Sequence, residues 1–457
     1  MAAETSAPIS PLTPPLENER PVIWPPRTTG KLACGLPVVL VEQHRIPKLT
    51  LQLLFRSGNS AVAALNPGLA DMTSTVVRTG TATRTGRQIE EELRRLGADL
   101  STGAGADSSA ISLGGLSEFS GELLALLADL ASHANFPADE FERERRNTFE
   151  AVRIERATPG FLAGERLRKV LFGAHPYAVV APTESQVEAY RLEQLADFYR
   201  AHYTPENAVL IAVGDFSAPA LLEQMGAAFG SWPAGQPPWK PEADPPEVHN
   251  RRVYLVHLPG SVQTQILLGN RAITRRHPDW LPLALANSIY GGAFHSRLVA
   301  NIREQKGYTY SPRSSAHSLR RLGYFSVSAA VRNEVVAATL TEIFYELDRI
   351  RALPVGTEEL ADALAYLSGV FSLGLATQGG LAGQLATLYL NELPADYLET
   401  YREKIRALTA EDVLAAARKY FDSANAQIVV VGDAEQIAAQ AALFGEVETY
   451  DAKGQRI

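Results

Sequence analysis

The chain has 457 residues, 46% of them hydrophobic, and a formal net charge of −8 from 43 basic and 51 acidic side chains. That length implies two or more domains with sizeable cores, and the mixed, net acidic charge leaves no basic stripe to neutralise phosphates, which argues against a nucleic-acid partner. One cysteine, Cys34, excludes an intrachain disulfide and a cysteine metal cage, and no run of about 18 apolar residues is present to span a bilayer.

Residues 1–30 are rich in Pro, Ser and Ala and read as an extended leader without a core of its own. Such leaders often follow a removed export signal, so the expected location is the bacterial periplasm, with the cytoplasm as the alternative. Residues 36–42 and 49–55 then read as two strands paired antiparallel. Pro67-Gly68 opens a helix over 69–79 that stops at Gly80, and 85–96 reads as a second helix with Arg87, Glu90, Glu91, Arg94 and Arg95 on its wet face. Residues 108–113 read as a strand, and the apolar spacing over 118–133, 139–156 and 192–202 is helical.

Two distant segments repeat one another. Residues 195–203 (LADFYRAHY) run into 207–215 (NAVLIAVGD), and 413–421 (VLAAARKYF) run into 425–433 (NAQIVVVGD), with a constant offset of 218 positions. The pattern is a helix followed by a buried strand, twice. Between the copies lies a stretch, 232–247, whose six prolines forbid helix interior and central strand alike and make it a semi-rigid linker. The chain therefore reads as two homologous α+β domains, 31–231 and 248–457. Each is expected to be a mostly antiparallel sheet with helices on one face, the two facing each other across a chamber.

The chemistry is conspicuous for what is missing. No two of the nine histidines lie within five positions, so neither H-E-x-x-H nor H-x-x-E-H exists in the chain. A helix-borne zinc site needs two imidazoles on one helical face, three or four residues apart. The glycine-rich stretch 101–107 lacks the lysine of a phosphate loop and leads into a strand, so it reads as a closely approached edge. There is no G-x-S-x-G elbow either.

The stretch 291–311, GGAFHSRLVANIREQKGYTYS, reads as a glycine turn, a helix closed by Gly307 as its C′ residue, and a strand. This order brings Arg303 and Tyr310 near one another, two donors able to hold a peptide carbonyl or an oxyanion in a groove. Taken singly, an amphipathic-helix arginine is more often a surface charge, and a tyrosine is more often half in the core.

Ser296-Arg297-Leu298, Ile302-Arg303-Glu304 and Gly307 to Tyr310 resemble the S-R-L…L-R-E-x-x-G-x-x-Y signature of the pitrilysin family of zinc peptidases, which includes mitochondrial processing peptidase and the core proteins of the respiratory bc1 complex. Gly35 to Glu42 is similar to the family's N-G-L-x-V-x-L strand, and Gly173-Ala174-His175-Pro176-Tyr177 to its G-x-H-P-Y segment. Where catalytic members read G-L-A-H-x-x-E-H, this chain reads Gly68-Leu69-Ala70-Asp71-Met72-Thr73-Ser74-Thr75. Asp71, Ser74 and Thr75 thus stand in the metal-motif positions, Glu150 lies roughly where a third ligand falls, and no metal residue carries over. The resemblance implies the zinc-free subunit of a two-chain endopeptidase, inactive alone. In it Arg303 and Tyr310, with Tyr308 as a rival for the phenol, bind peptide substrate at the zinc of a homologous partner subunit. The alternative it implies is a non-proteolytic structural or assembly protein like the respiratory core proteins.

Overall fold

The computed structural model describes residue 22 and residues 24–235 and 244–457. Most of the expected leader, and residues 236–243 of the expected linker, lie outside the described residues.

The first half forms a six-stranded sheet from β1 (Arg27–Lys31), β2 (Pro37–Glu42), β3 (Lys48–Phe55), β4 (Asp99–Ala104), β5 (Ser109–Leu116) and β6 (Ala208–Gly214). Their order across the sheet is β1-β2-β6-β3-β5-β4. The second half repeats it with β7 (Arg252–His257), β8 (Gln263–Ala272), β9 (Arg313–Ser318), β10 (Gly323–Arg332), β11 (Gln427–Gly432) and β12 (Glu446–Tyr450), in the order β12-β7-β11-β8-β10-β9. Setting aside the edge strands β1 and β12, the two orders are one topology. Pairing is antiparallel except for β2 with β6, β7 with β11, and β12 with β7. The protein is α+β, with two homologous sheets and helices packed against each.

Two expectations fail locally. The strands 36–42 and 49–55 do not pair as a hairpin, because β6 inserts between them, parallel to β2 and antiparallel to β3. The cause is the composition of β6: all seven of its residues are buried, so it serves a sheet covered on both faces and takes a central place. The last residues of the expected leader are also structural. Arg27 to Lys31 pair with β2, and the Trp24 ring lies 6.2 Å from that of Phe371.

Each sheet buries one face against helices of its own half. Leu49, Leu51 and Leu53 alternate along β3 into a core shared with helices Leu69–Val76, Ser120–Ser132 and Leu192–His202. Ile266 and Leu268 of β8 do the same against helices Trp280–Asn287, Val336–Ala352 and Ala410–Tyr420. The opposite faces are covered by exchange. Helix Pro159–Phe172, from the first half, places Leu167 and Leu171 on Val429, Val431 and Tyr254 of the second sheet. Helix Gln378–Leu390, from the second half, places Leu381 and Leu385 on Val209, Ile211 and Val213 of the first. At roughly 25 cal/mol per Å² of apolar surface removed from water, these reciprocal clusters fix the two halves against one another. Among the described residues, no single helix is long and apolar enough to cross a membrane.

Candidate functional site

The segment joining β8 to β9 builds the site. Helix Trp280–Asn287 widens into a π-helical turn, Ser288–Gly292, closed by the Ala293 amide donating to the Ser288 carbonyl at 3.2 Å. Glycine is required at 291, where a Cβ would come within 2.7 Å of Leu298 Cδ1 and of Ser314 Oγ. The chain then enters a second π-helical segment, Val299–Gln305, with the Lys306 amide donating to the Asn301 carbonyl at 3.0 Å. Two π-helical turns so close together are rare and frequently mark functional sites. Arg297 anchors the segment with a two-pronged ion pair to Glu359, both contacts at 2.7 Å. Its role is positional; the arginine six residues on is the one that is presented.

Gly307 terminates the segment with φ of +64°, as the sequence indicates, and its amide donates to the Arg303 carbonyl at 3.1 Å. Tyr310 does not lie on the strand expected after it, since β9 begins only at Arg313 and residues 307–312 form a loop. The argument that Tyr308 and Tyr310 share one strand face therefore lapses. The loop separates them: Tyr308 packs against the second core, while Tyr310 is 78% exposed.

Arg303 and Tyr310 do come together. The guanidinium carbon of Arg303 sits 4.5 Å from the centroid of the Tyr310 ring and 4.9 Å from that of Phe294, so the cation is held between two aromatic rings. Its Nε also contacts Glu304 at 3.2 Å. Phe294 was not singled out from the sequence; a 70%-exposed phenylalanine is visible only once the turn is built. The arrangement stiffens a long flexible cation and leaves a phenol hydroxyl facing solvent, two donors ready for a carbonyl oxygen.

The matching segment of the first half joins β3 to β4 and carries Asp71, Ser74 and Thr75, which the resemblance sets against the family's metal motif, on helix Leu69–Val76. Asp71 accepts from Asn59 Nδ2 at 2.6 Å. Ser74 is 1% exposed, with its hydroxyl 3.2 Å from the Tyr203 phenol, and the Thr75 hydroxyl donates back to the Asp71 carbonyl at 3.0 Å. These side chains do not fit a zinc ion: one carboxylate is the sole strong ligand type among the three, and both hydroxyls are committed elsewhere. Glu150 is exposed and faces Arg153 at 3.6 Å. Among the described residues, no cluster of three or more His, Cys, Asp or Glu side chains is arranged to hold a metal ion.

A further contact ties the halves together. The Tyr177 phenol is buried and donates to Asp107 Oδ1 at 2.6 Å, while Asp107 Oδ2 accepts the Arg320 amide, at 2.8 Å, from the hairpin between β9 and β10. Burial is the main cause that pushes the Tyr177 pKa far up, and the Asp107 carboxylate adds to it, so the phenol stays a donor. Two sequence features, the His-Pro-Tyr segment and the glycine-rich edge, prove to be the two sides of one contact.

Comparison with known proteins agrees with this architecture. Residues 37–167 match the family described as Insulinase (Peptidase family M16), and residues 190–367 match Peptidase M16 inactive domain. The chain belongs to the M16 peptidase family. A solved structure described as the peptidase M16 inactive domain from Pseudomonas fluorescens is 29% identical, with a TM-score of 0.84, over 89% of this chain and 98% of that one. A protease from Helicobacter pylori shares the fold at 20% identity, TM-score 0.83, over 89% and 99% of the two chains. Among curated relatives, the uncharacterized zinc protease YmxG of Bacillus subtilis is 23% identical over 397 residues, 83% of this chain and 94% of that protein. The chain thus keeps the family's fold.

Proposed function

We propose that this chain is the substrate-binding, zinc-free subunit of a heteromeric zinc endopeptidase. The observation that carries the reading is the Arg303 guanidinium held against the exposed Tyr310 ring, on a family member whose metal-motif positions cannot bind zinc. In the pair, a homologous partner supplies the zinc and the bond-breaking chemistry. This chain supplies Arg303 and the Tyr310 hydroxyl, which orient the substrate backbone and donate to the carbonyl oxygen as negative charge develops on it. Phe294 keeps the guanidinium in place. The Pro-rich leader supports export to the periplasm, which fractionation of native cells would test.

The deciding experiment is reconstitution of the chain with its zinc-bearing partner. Peptidase activity should require both chains, and Arg303→Ala or Tyr310→Phe should depress turnover; unchanged turnover would refute the role. One observation favours a second reading, a non-proteolytic structural or assembly protein: the metal-motif positions are not merely altered but rebuilt into a packed helix through Ser74 and Tyr203. A purified native complex without stoichiometric zinc would select that reading.

A further inference from the structure

Helix Pro159–Phe172 covers only part of the second sheet's outer face, over β11 and β8. Beside it, β10 and the edge strand β9 floor a groove of about 410 Å³. By strand alternation Arg313, Ser315 and His317 share that face of β9. None of the side chains lining the groove is acidic, and two are arginines, one on each side. Arg168, on the helix, is fixed by its Nε donating to the Tyr177 carbonyl at 2.7 Å. Arg313 is exposed and has no carboxylate partner among the described residues.

The surroundings are consistent with a positive site. His317 lies flat on Tyr324 at 4.2 Å, with its Nε2 2.9 Å from Ser326 Oγ. Burial first, and then Arg168 and Arg313, lower its pKa to about 4, so at neutral pH it contributes hydrogen bonding and no charge. The edge strand β4 of the first half has Asp99, Ser101 and Gly103 at the alternate positions.

We propose that this groove is a subsite for a carboxylate carried on an extended peptide lying along β9. Arg313 follows Tyr310 by three positions, so a chain held at the Arg303–Tyr310 pair passes directly to it. An exposed sheet edge gives an extended peptide main-chain partners, and an unpaired guanidinium beside it grips a carboxylate through two parallel hydrogen bonds. The proposal rests on the substrate-holding reading of Arg303 and Tyr310 for the peptide nature of the occupant.

The test is fluorescence-anisotropy titration of the full chain with three labelled peptides of one neutral, extended sequence. The first has an internal Glu and an amidated end, the second Gln and an amidated end, the third Gln and a free C-terminal carboxylate. Either carboxylate peptide should bind about 10-fold more tightly than the neutral one at low salt, and the arm that wins identifies the carboxylate as side chain or chain end. Arg313→Gln should abolish the preference and Arg313→Lys restore part of it. Equal affinities, no binding of any peptide, or a preference that survives Arg313→Gln would overturn the proposal. Arg303→Ala, which tests the underlying reading through turnover in the two-chain enzyme, should weaken all three peptides alike and leave the preference intact.

Discussion

The segments joining β3 to β4 and β8 to β9 hold the same place in the two halves, yet they have been put to opposite uses. In the first, helix Leu69–Val76 turns its polar groups inward or onto its own backbone: Ser74 to Tyr203, Thr75 to the Asp71 carbonyl. In the second, glycine-dependent π-helical turns push Arg303 and Tyr310 outward and hold the cation between exposed rings. A duplicated fold lets one copy relax into ordinary packing while the other stores local irregularity. Irregularity that the scaffold must support, with Arg297 fastened to Glu359 beneath it, is the better indicator of function.

The sharpest way to break this comparison is to ask the first segment to be catalytic again. Ser74→Glu places a glutamate where the resemblance to the family's metal motif sets its proton-transfer residue. It does so at a site 1% exposed and facing a phenol whose pKa burial pushes up to about 12. An uncompensated buried carboxylate costs about 3–5 kcal/mol, so urea denaturation should show a loss of that order. A stable Ser74→Glu protein would mean that the helix is still open to water.

The second segment should respond in rate and not in stability. Removal of one oxyanion-type donor typically costs about 2.7–4 kcal/mol, or roughly 10²–10³ in turnover, and in the proposed two-chain enzyme Arg303→Ala should fall in that range with an unchanged unfolding midpoint. Tyr310→Phe keeps the ring against the guanidinium and loses only the hydroxyl, so it should separate clamp from donor. If it matches wild type, the donor role proposed for the Tyr310 hydroxyl is refuted.

Acid should also distinguish one pair of equivalent repeat positions. Position 202, at the end of the helix before β6, is His202; its repeat counterpart 218 positions on is Tyr420. His202 is buried with Nδ1 2.9 Å from Ser57 Oγ, and burial lowers its pKa to about 4. The folded state therefore binds fewer protons than the unfolded state between pH 4 and about 6.5. Stability is fully present above about pH 6.5 and falls as pH drops through that window, by about 2 kcal/mol at pH 5 from this group. Tyr420, bonded to Asp279 Oδ2 at 2.6 Å, does not titrate there. Denaturation as a function of pH should show this slope, and His202→Gln should remove its share while leaving that of His317, whose pKa burial likewise lowers to about 4; an unchanged slope would assign it elsewhere.

The duplication, the equivalence of β6 and β11 and the Arg303–Tyr310 pair were legible because each is written locally: an offset of 218, buried apolar runs, and a glycine that stops a helix. Three things were not. The exchange of helices Pro159–Phe172 and Gln378–Leu390 is a tertiary choice, since an apolar helix stripe does not say which sheet it meets. The insertion of β6 between β2 and β3 depends on a partner some 160 positions away along the chain. The π-helical turns carry no apolar periodicity of their own: in the sequence the end of Ser288–Gly292 reads as a glycine turn and Val299–Gln305 as an ordinary helix.

The smallest expected effect is the most exposed to refutation. Thr75 and Asp71 are both exposed on the first segment. The Thr75 hydroxyl bonds only to its own helix at the Asp71 carbonyl, a contact that competes with the backbone ladder and contributes little. Asp71→Asn can keep the hydrogen bond with Asn59. Surface changes of this kind usually stay within about 0.5 kcal/mol, so Thr75→Ala and Asp71→Asn should leave both the unfolding midpoint and the turnover of the two-chain enzyme at wild-type values. A fall in turnover from either one, with stability preserved, would place the first segment in the reaction. The division of labour between the two halves would then have to be redrawn around Asp71 instead of Arg303.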